Sequence, residues 1–144
     1  MKNVTGYDLV KLMCGSCGTL CVLTEVSLKV LPVTETSGTL LLRDLSGQDA
    51  VEVMSEAMGS PYEVTGAAHC ANTKDDAPIT ALRVEGFEAS VSYRLEKLRA
   101  LFSHRKAETE VASAELSDRF WEGVRDAGHF ADADGDVWRV SCRP

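Results

Sequence analysis

The chain has 144 residues, 44% of them hydrophobic and 26% charged, the length and mix of one ordinary folded domain. Its formal net charge of -7 speaks against nucleic acid as a partner, because phosphate binding calls for a basic face. The apolar stretch 20–33 is broken by Thr24, Glu25, Ser27 and Lys29, so no transmembrane segment is expected.

Met1-Lys2-Asn3 runs into polar sequence and not into the apolar core of a signal peptide. The five cysteines are an odd number and cannot all pair within one chain. Reduced thiols and a cytoplasmic location are expected.

Leu9, Leu12 and Met13 have helical spacing, and Gly15 ends that helix. Residues 20–31 alternate apolar and polar side chains and read as a strand closed by Pro32. Residues 32–38 read as a linker, so a boundary is placed there: 1–33 before it and 36–144 after. Residues 39–43 form a strand. Ser46 and Asp49 make a Ser-x-x-Asp cap for a helix carrying Ala50, Val53, Met54 and Ala57, ended by Gly59. Residues 62–68 read as a strand, 71–78 as a polar loop and 79–84 as another strand. Val91, Leu95, Leu98 and Phe102 stripe a helix, and residues 108–111 form a further strand. The order β-α-β-β-α-β predicts an α+β fold of ferredoxin-like type. Leu116, Phe120, Trp121, Val124 and Ala127 stripe a third helix of this part, ended by Gly128. Asp134-Gly135 reads as a tight turn before a last strand over 137–142.

Several groups invite chemistry. Gly15-Ser16 and Gly18-Thr19 have the character of a loop that approaches a phosphate closely, with no Cβ in the way and small hydroxyls beside it. Cys14, Cys17 and Cys21 are spaced C-x2-C-x3-C, with Cys70 beside His69 as a further ligand. Free cysteine more often behaves as a small buried hydrophobe, so no metal is expected and these thiols should fill apolar space. Asp132, Asp134, Gly135 and Asp136 lack the glycine and glutamate positions of an EF-hand and read as a solvated turn. His69, His104 and His129 are scattered. Arg94, Lys97, Arg99, His104, Arg105 and Lys106 form a basic face, read as solvated, with docking to an acidic subunit as its functional alternative. Trp121 and Trp138 are expected in cores.

Residues 2–9, Lys-Asn-Val-Thr-Gly-Tyr-Asp-Leu, open a longer ordered pattern. With Gly15-Ser16-Cys17-Gly18-Thr19-Leu20-Cys21 and residues 24–32 (Thr-Glu-Val-Ser-Leu-Lys-Val-Leu-Pro), it resembles the flavin domain of the FAD-linked oxidase family. That family includes glycolate oxidase, D-lactate dehydrogenase and alkyldihydroxyacetonephosphate synthase relatives. Gly66-Ala67-Ala68-His69, residues 82–91 and residues 137–141 are similar to the FAD-binding glycolate oxidase subunits within it. The resemblance covers essentially the whole chain.

It implies an FAD-dependent oxidoreductase of 2-hydroxy acids as the parent. Asn3, Thr5, Gly6, Tyr7, Asp8, Gly15, Ser16, Gly18 and Thr19 would face the cofactor. It also implies iron–sulfur and catalytic flavoprotein subunits as partners. Residues 1–33 would be the end of the flavin-binding domain, a helix-strand remnant, and 36–144 a cap or substrate-side domain. Cys21 stands where the family usually has glycine. The family's pyrophosphate-holding glycine loop precedes the first motif, so this chain is expected to be a fragment that binds no FAD by itself and is inactive alone. Self-association into a homo-oligomer is expected through its apolar N-terminal segment. The alternative is a cofactor-free interaction or subunit-interface domain. No catalytic residue is identified.

Overall fold

In a computed structural model, residues 8–71, 77–105, 107–131 and 134–142 are described. Their contacts divide the chain into two units, residues 1–32 and 33–144. No helix among the described residues is long and apolar enough to cross a membrane.

The second unit is α+β, with a four-stranded antiparallel sheet. Its elements are β1 (Thr36–Arg43), α2 (Gly47–Gly59), β2 (Gly66–Cys70), β3 (Ile79–Gly86), α3 (Glu88–Leu101), β4 (Thr109–Val111) and α4 (Ala114–Arg125), followed by a 3-10 turn at Gly128–Phe130. The strands lie in the order β2-β3-β1-β4. Leu40 is opposite Leu82 on one side and Val111 on the other, which fixes the faces. Because side chains alternate along a strand, Leu40, Leu42, Leu82 and Val84 share one face. That face carries the core: they pack with Ala50, Val53 and Ala57 of α2, Val91, Leu95 and Leu98 of α3, and Phe102. Each large side chain buried there contributes roughly 1.5–3 kcal/mol.

Local chemistry sets the helix ends. Ser46 Oγ accepts from Asp49 N at 3.2 Å and donates to Asp49 Oδ2 at 2.6 Å, so the expected cap forms. Ser113 Oγ accepts from Leu116 N and starts α4. Gly59 is the last residue of α2 and Ser60 the cap beyond it.

Arg94 corrects the basic face read from the sequence. It is 8% exposed. Its guanidinium donates to the carbonyls of Glu85 (2.5 Å), Ser90 (3.3 Å) and Tyr62 (3.4 Å). Five fixed donors let one arginine satisfy several carbonyls at once. Gly86, at φ +148, leaves the space: a Cβ there would sit 2.9 Å from Arg94 Nη2. Arg105 is also drawn in, pairing with Glu52 at 3.1 Å and Asp49 at 3.7 Å. It ties the end of α3 to α2.

The opposite face of the sheet carries Thr39, Leu41, Ala81 and Arg83, and α4 lies against it. Trp121 Nε1 donates to Thr39 Oγ1 at 2.9 Å, and Thr39 Oγ1 is 2.8 Å from Ser117 Oγ. Thr39 and Ser117 are both buried. A Cβ at Gly66 would sit 3.0 Å from the Trp121 ring, so the missing side chain is what lets the indole approach the sheet.

Two expected strands do not form. Residues 20–31, in the first unit, are neither helical nor paired. A strand is stabilised by its ladder to a neighbour, and this segment has none among the described residues. Residues 137–142 are likewise unpaired, and Trp138 is 82% exposed instead of lying in a core. The strand read at 62–68 begins later, at Gly66, after Glu63 turns the chain with φ 47. The expected turn at Asp134-Gly135 leads into no strand, and Asp132 lies outside the described residues.

In the first unit, α1 spans Leu9–Met13, as the spacing predicts, and buries none of its residues.

Gly38 provides a test of the core. A Cβ there would meet Leu95 Cδ1 at 2.5 Å and Val91 Cγ1 at 3.0 Å. Gly38→Ala should lower unfolding free energy by about 1–3 kcal/mol through overpacking. Urea unfolding should show an earlier midpoint with an unchanged slope; an unchanged midpoint would mean that α3 does not seat there.

Candidate functional site

The nine residues expected to face a cofactor fall into two sets. Asn3, Thr5, Gly6 and Tyr7 lie outside the described residues. Asp8, Gly15, Ser16, Gly18 and Thr19 are described and sit around α1. Asp8 caps the helix: its Oδ1 accepts from Lys11 N at 3.2 Å, and Oδ2 pairs with Lys11 Nζ at 3.2 Å. That ion pair is exposed and adds little stability.

Gly15 and Gly18 belong to two successive turns. Ser16 N donates to Met13 O at 3.2 Å, with Cys14 at φ -62, ψ 122 and Gly15 at φ 79. Those angles are the signature of a type II turn, whose third residue must take positive φ. Thr19 N then donates to Ser16 O at 3.0 Å, with Cys17 at φ 49 and Gly18 at φ 76. Two consecutive positive φ values mark a type I′ turn. Thr19 Oγ1 donates to the same Ser16 carbonyl at 2.7 Å. A Cβ at Gly15 or Gly18 would meet nothing within 4 Å. Backbone angle therefore calls for these glycines, and the space over them is open to a group that approaches the main chain. Among the described residues of this unit, 8–32, none is buried.

The cysteines do not fill apolar space as expected. Cys14 and Cys17 are exposed and Cys21 is half-buried. Cys17 Sγ donates to Gly15 O at 3.6 Å. Cys142 is exposed as well, while Cys70 is half-buried and burial pushes its thiol above the ordinary value. Among the described residues, no group of three His, Cys, Asp or Glu side chains is placed to hold a metal ion.

The histidines stay apart. His69 Nδ1 lies 2.9 Å from Thr80 Oγ1 on the face of the sheet that carries Leu42, and its Nε2 is buried without a partner. His104 Nδ1 donates to Leu101 O at 2.9 Å.

The sequence did not single out a cleft of about 500 Å³ between β3 and α4, lined by Arg83, Asp118, Trp121, Glu122, Val124 and Arg125. Arg83 Cζ lies 5.9 Å from the Trp121 ring centroid, and its Nη2 pairs with Glu85 at 2.7 Å. Arg83 Nε is buried with no partner. Arg125 is held by Asp126 at 2.8 Å, and that hydrogen bond draws the Asp126 carboxyl below its ordinary value. The sequence holds no local signal for this cleft, because Gly66 and Arg83 become neighbours only when β2 pairs with β3.

Comparison with known proteins bears out the resemblance. No protein-family model matches the chain. Over almost its full length, however, it is similar to a subunit of glycolate oxidase. The relative is glycolate oxidase subunit GlcE of Escherichia coli (strain K12): 142 residues align at 35% identity, covering 98% of this chain. The chain spans 35% of that protein's length.

Thiol exposure makes a direct test. Pulsed alkylation of the folded chain, read by mass spectrometry, should label Cys14, Cys17 and Cys142 at least about tenfold faster than Cys70, because burial disfavours the reactive thiolate. Equal rates at all four would contradict the burial of Cys70.

Proposed function

We propose that this chain is part of the FAD-binding subunit of an oxidoreductase of the glycolate oxidase type. The observation that carries the proposal is the 35% identity over 142 residues to a glycolate oxidase subunit. The similarity does not favour a cofactor-free interaction domain. On this reading, residues 1–33 contribute to the flavin domain and residues 36–144 to the cap or substrate side. The split of contacts after Pro32 is compatible with that division. The element order β1-α2-β2-β3-α3-β4 and the sheet order β2-β3-β1-β4 support a ferredoxin-like cap.

FAD held in the whole enzyme would supply the acceptor for the hydride equivalent of a 2-hydroxy acid. This chain's part is to hold and orient. The turns at Gly15 and Gly18 offer open main chain to a pyrophosphate, and Asp8, Ser16 and Thr19 order the backbone around them. Asn3, Thr5, Gly6 and Tyr7 complete the cofactor-facing set. The chain's partners would be iron–sulfur and catalytic flavoprotein subunits, in the cytoplasm. The chain by itself holds FAD weakly and is inactive, because a large ligand must be gripped on several sides to offset its lost freedom.

A graft tests the reading. This chain is exchanged for the aligned stretch of the Escherichia coli subunit, and glycolate-dependent dye reduction is measured in cells lacking that subunit. Activity should return, and Gly15→Val with Gly18→Val in the graft should remove it together with the bound flavin. A folded graft that restores no activity would overturn the proposal. The 144-residue chain alone should show no flavin absorbance and an unchanged melting temperature when FAD is added.

A further inference from the structure

We infer that α4 is a hinged flap, latched to the sheet at the hydroxyl of Thr39 and opening as a unit over the cleft that holds Arg83. The bonds that join α4 to the sheet converge on one atom. Trp121 Nε1 donates to Thr39 Oγ1 at 2.9 Å, and Ser117 Oγ lies 2.8 Å from the same oxygen. Among the described residues, no other hydrogen bond runs from residues 114–131 to a strand.

The ends of α4 leave it free to swing. Ala112 N donates to Thr39 O at 2.9 Å, so the chain is pinned to β1 up to that residue. Ser113 follows in an extended conformation and caps the helix. It is the hinge, one residue between a paired strand and a helix. At the other end, Ala127 turns the chain at φ 52, and Phe130 N donates back to Ala127 O at 2.9 Å. A Cβ at Gly128 would meet Gly123 Cα of the helix at 3.5 Å. The 3-10 turn therefore folds onto α4 and travels with it.

The balance of interactions makes the latch reversible. α2 buries Ala50, Val53 and Ala57, and α3 buries Val91, Leu95 and Leu98, whereas the residue that α4 buries is Ser117. Apolar burial is lost outright when an element leaves, but water replaces the partner of a hydroxyl, so each latch bond has a modest net worth. Arg83 acts in both directions. Its guanidinium lies 5.9 Å from the Trp121 ring centroid, an attraction that holds the flap closed. Its Nε is buried without an acceptor on the face that α4 covers. A buried, unpaired donor carries its full desolvation penalty, and opening α4 hydrates it. Small opposed effects of this kind give an element that opens below the free energy of global unfolding. Opening uncovers Arg83 and removes one wall of the cleft of about 500 Å³.

Amide hydrogen exchange of the full chain, read by mass spectrometry, tests this. Amides of α4 should exchange at least about tenfold faster than those of α2 and α3. Val53→Ala weakens the core equally whether the flap is open or closed. It should speed α2 and α3 at least about tenfold and leave α4 within about twofold of the wild type. Thr39→Val removes the latch hydroxyl and should speed α4 about tenfold. Arg83→Lys puts a methylene in place of Nε and keeps the charge beside Glu85 and Trp121. It should slow α4 about threefold, because the closed flap then covers no unpaired donor. Equal rates for α4 and α3 in the wild type overturn the inference. So does Val53→Ala speeding α4 as much as α3, Thr39→Val leaving α4 unchanged, or Arg83→Lys speeding it.

Discussion

β1 is hydrogen-bonded to β3 along one edge and to β4 along the other, and both faces of the second unit are organised from it. Leu40 and Leu42 point to the helices, while Thr39 and Leu41 point away. All four are essentially inaccessible to solvent. A strand buried on both faces cannot slip by one residue without exchanging leucines for a threonine in the core. The register Leu40 opposite Leu82 is therefore the constraint on which α2, α3 and α4 all depend. The polar exception, Thr39, is answered in place. Its hydroxyl meets both Ser117 and the Trp121 indole, so α4 is located by hydrogen bonds where α2 and α3 are located by leucine and valine.

This explains which parts of the fold were legible. From β1 to α4 the needed signals are local: alternating apolar residues, a Ser-x-x-Asp cap and stripes at helical spacing. The structure returns those elements with shifts of a few residues. The sequence signal for a buried Arg94 is its place on the helix. It lies three residues after Val91 and four before Leu98, on the same buried stripe. Position on the helix outweighs charge here, because the backbone carbonyls of Glu85, Ser90 and Tyr62 receive the guanidinium. Residues 20–31 and 137–142 failed for another reason. Their alternation is real, but a strand is a property of a pair, and a single sequence does not state where the second strand lies.

The candidate site shows the same division. That Gly15 and Gly18 close turns is written locally, in the spacing of Met13, Ser16 and Thr19. What those turns face depends on surfaces distant in sequence. The Arg83 cleft was overlooked because it arises from three separate elements: Arg83 on β3, the bare Gly66 on β2, and Trp121 on α4. No window of consecutive residues contains that arrangement.

The two units thus place opposite demands on the same kind of sequence. In the second unit, alternation is resolved internally: Thr39 is met by Ser117 and Trp121, and Arg94 by backbone carbonyls. In the first, alternation and charge are left unresolved: Glu25 and Lys29 flank Ser27 symmetrically, with valines and leucines filling the other face. That alternation is answered by no ladder among the described residues, whereas each strand of the second unit has a neighbour across the sheet.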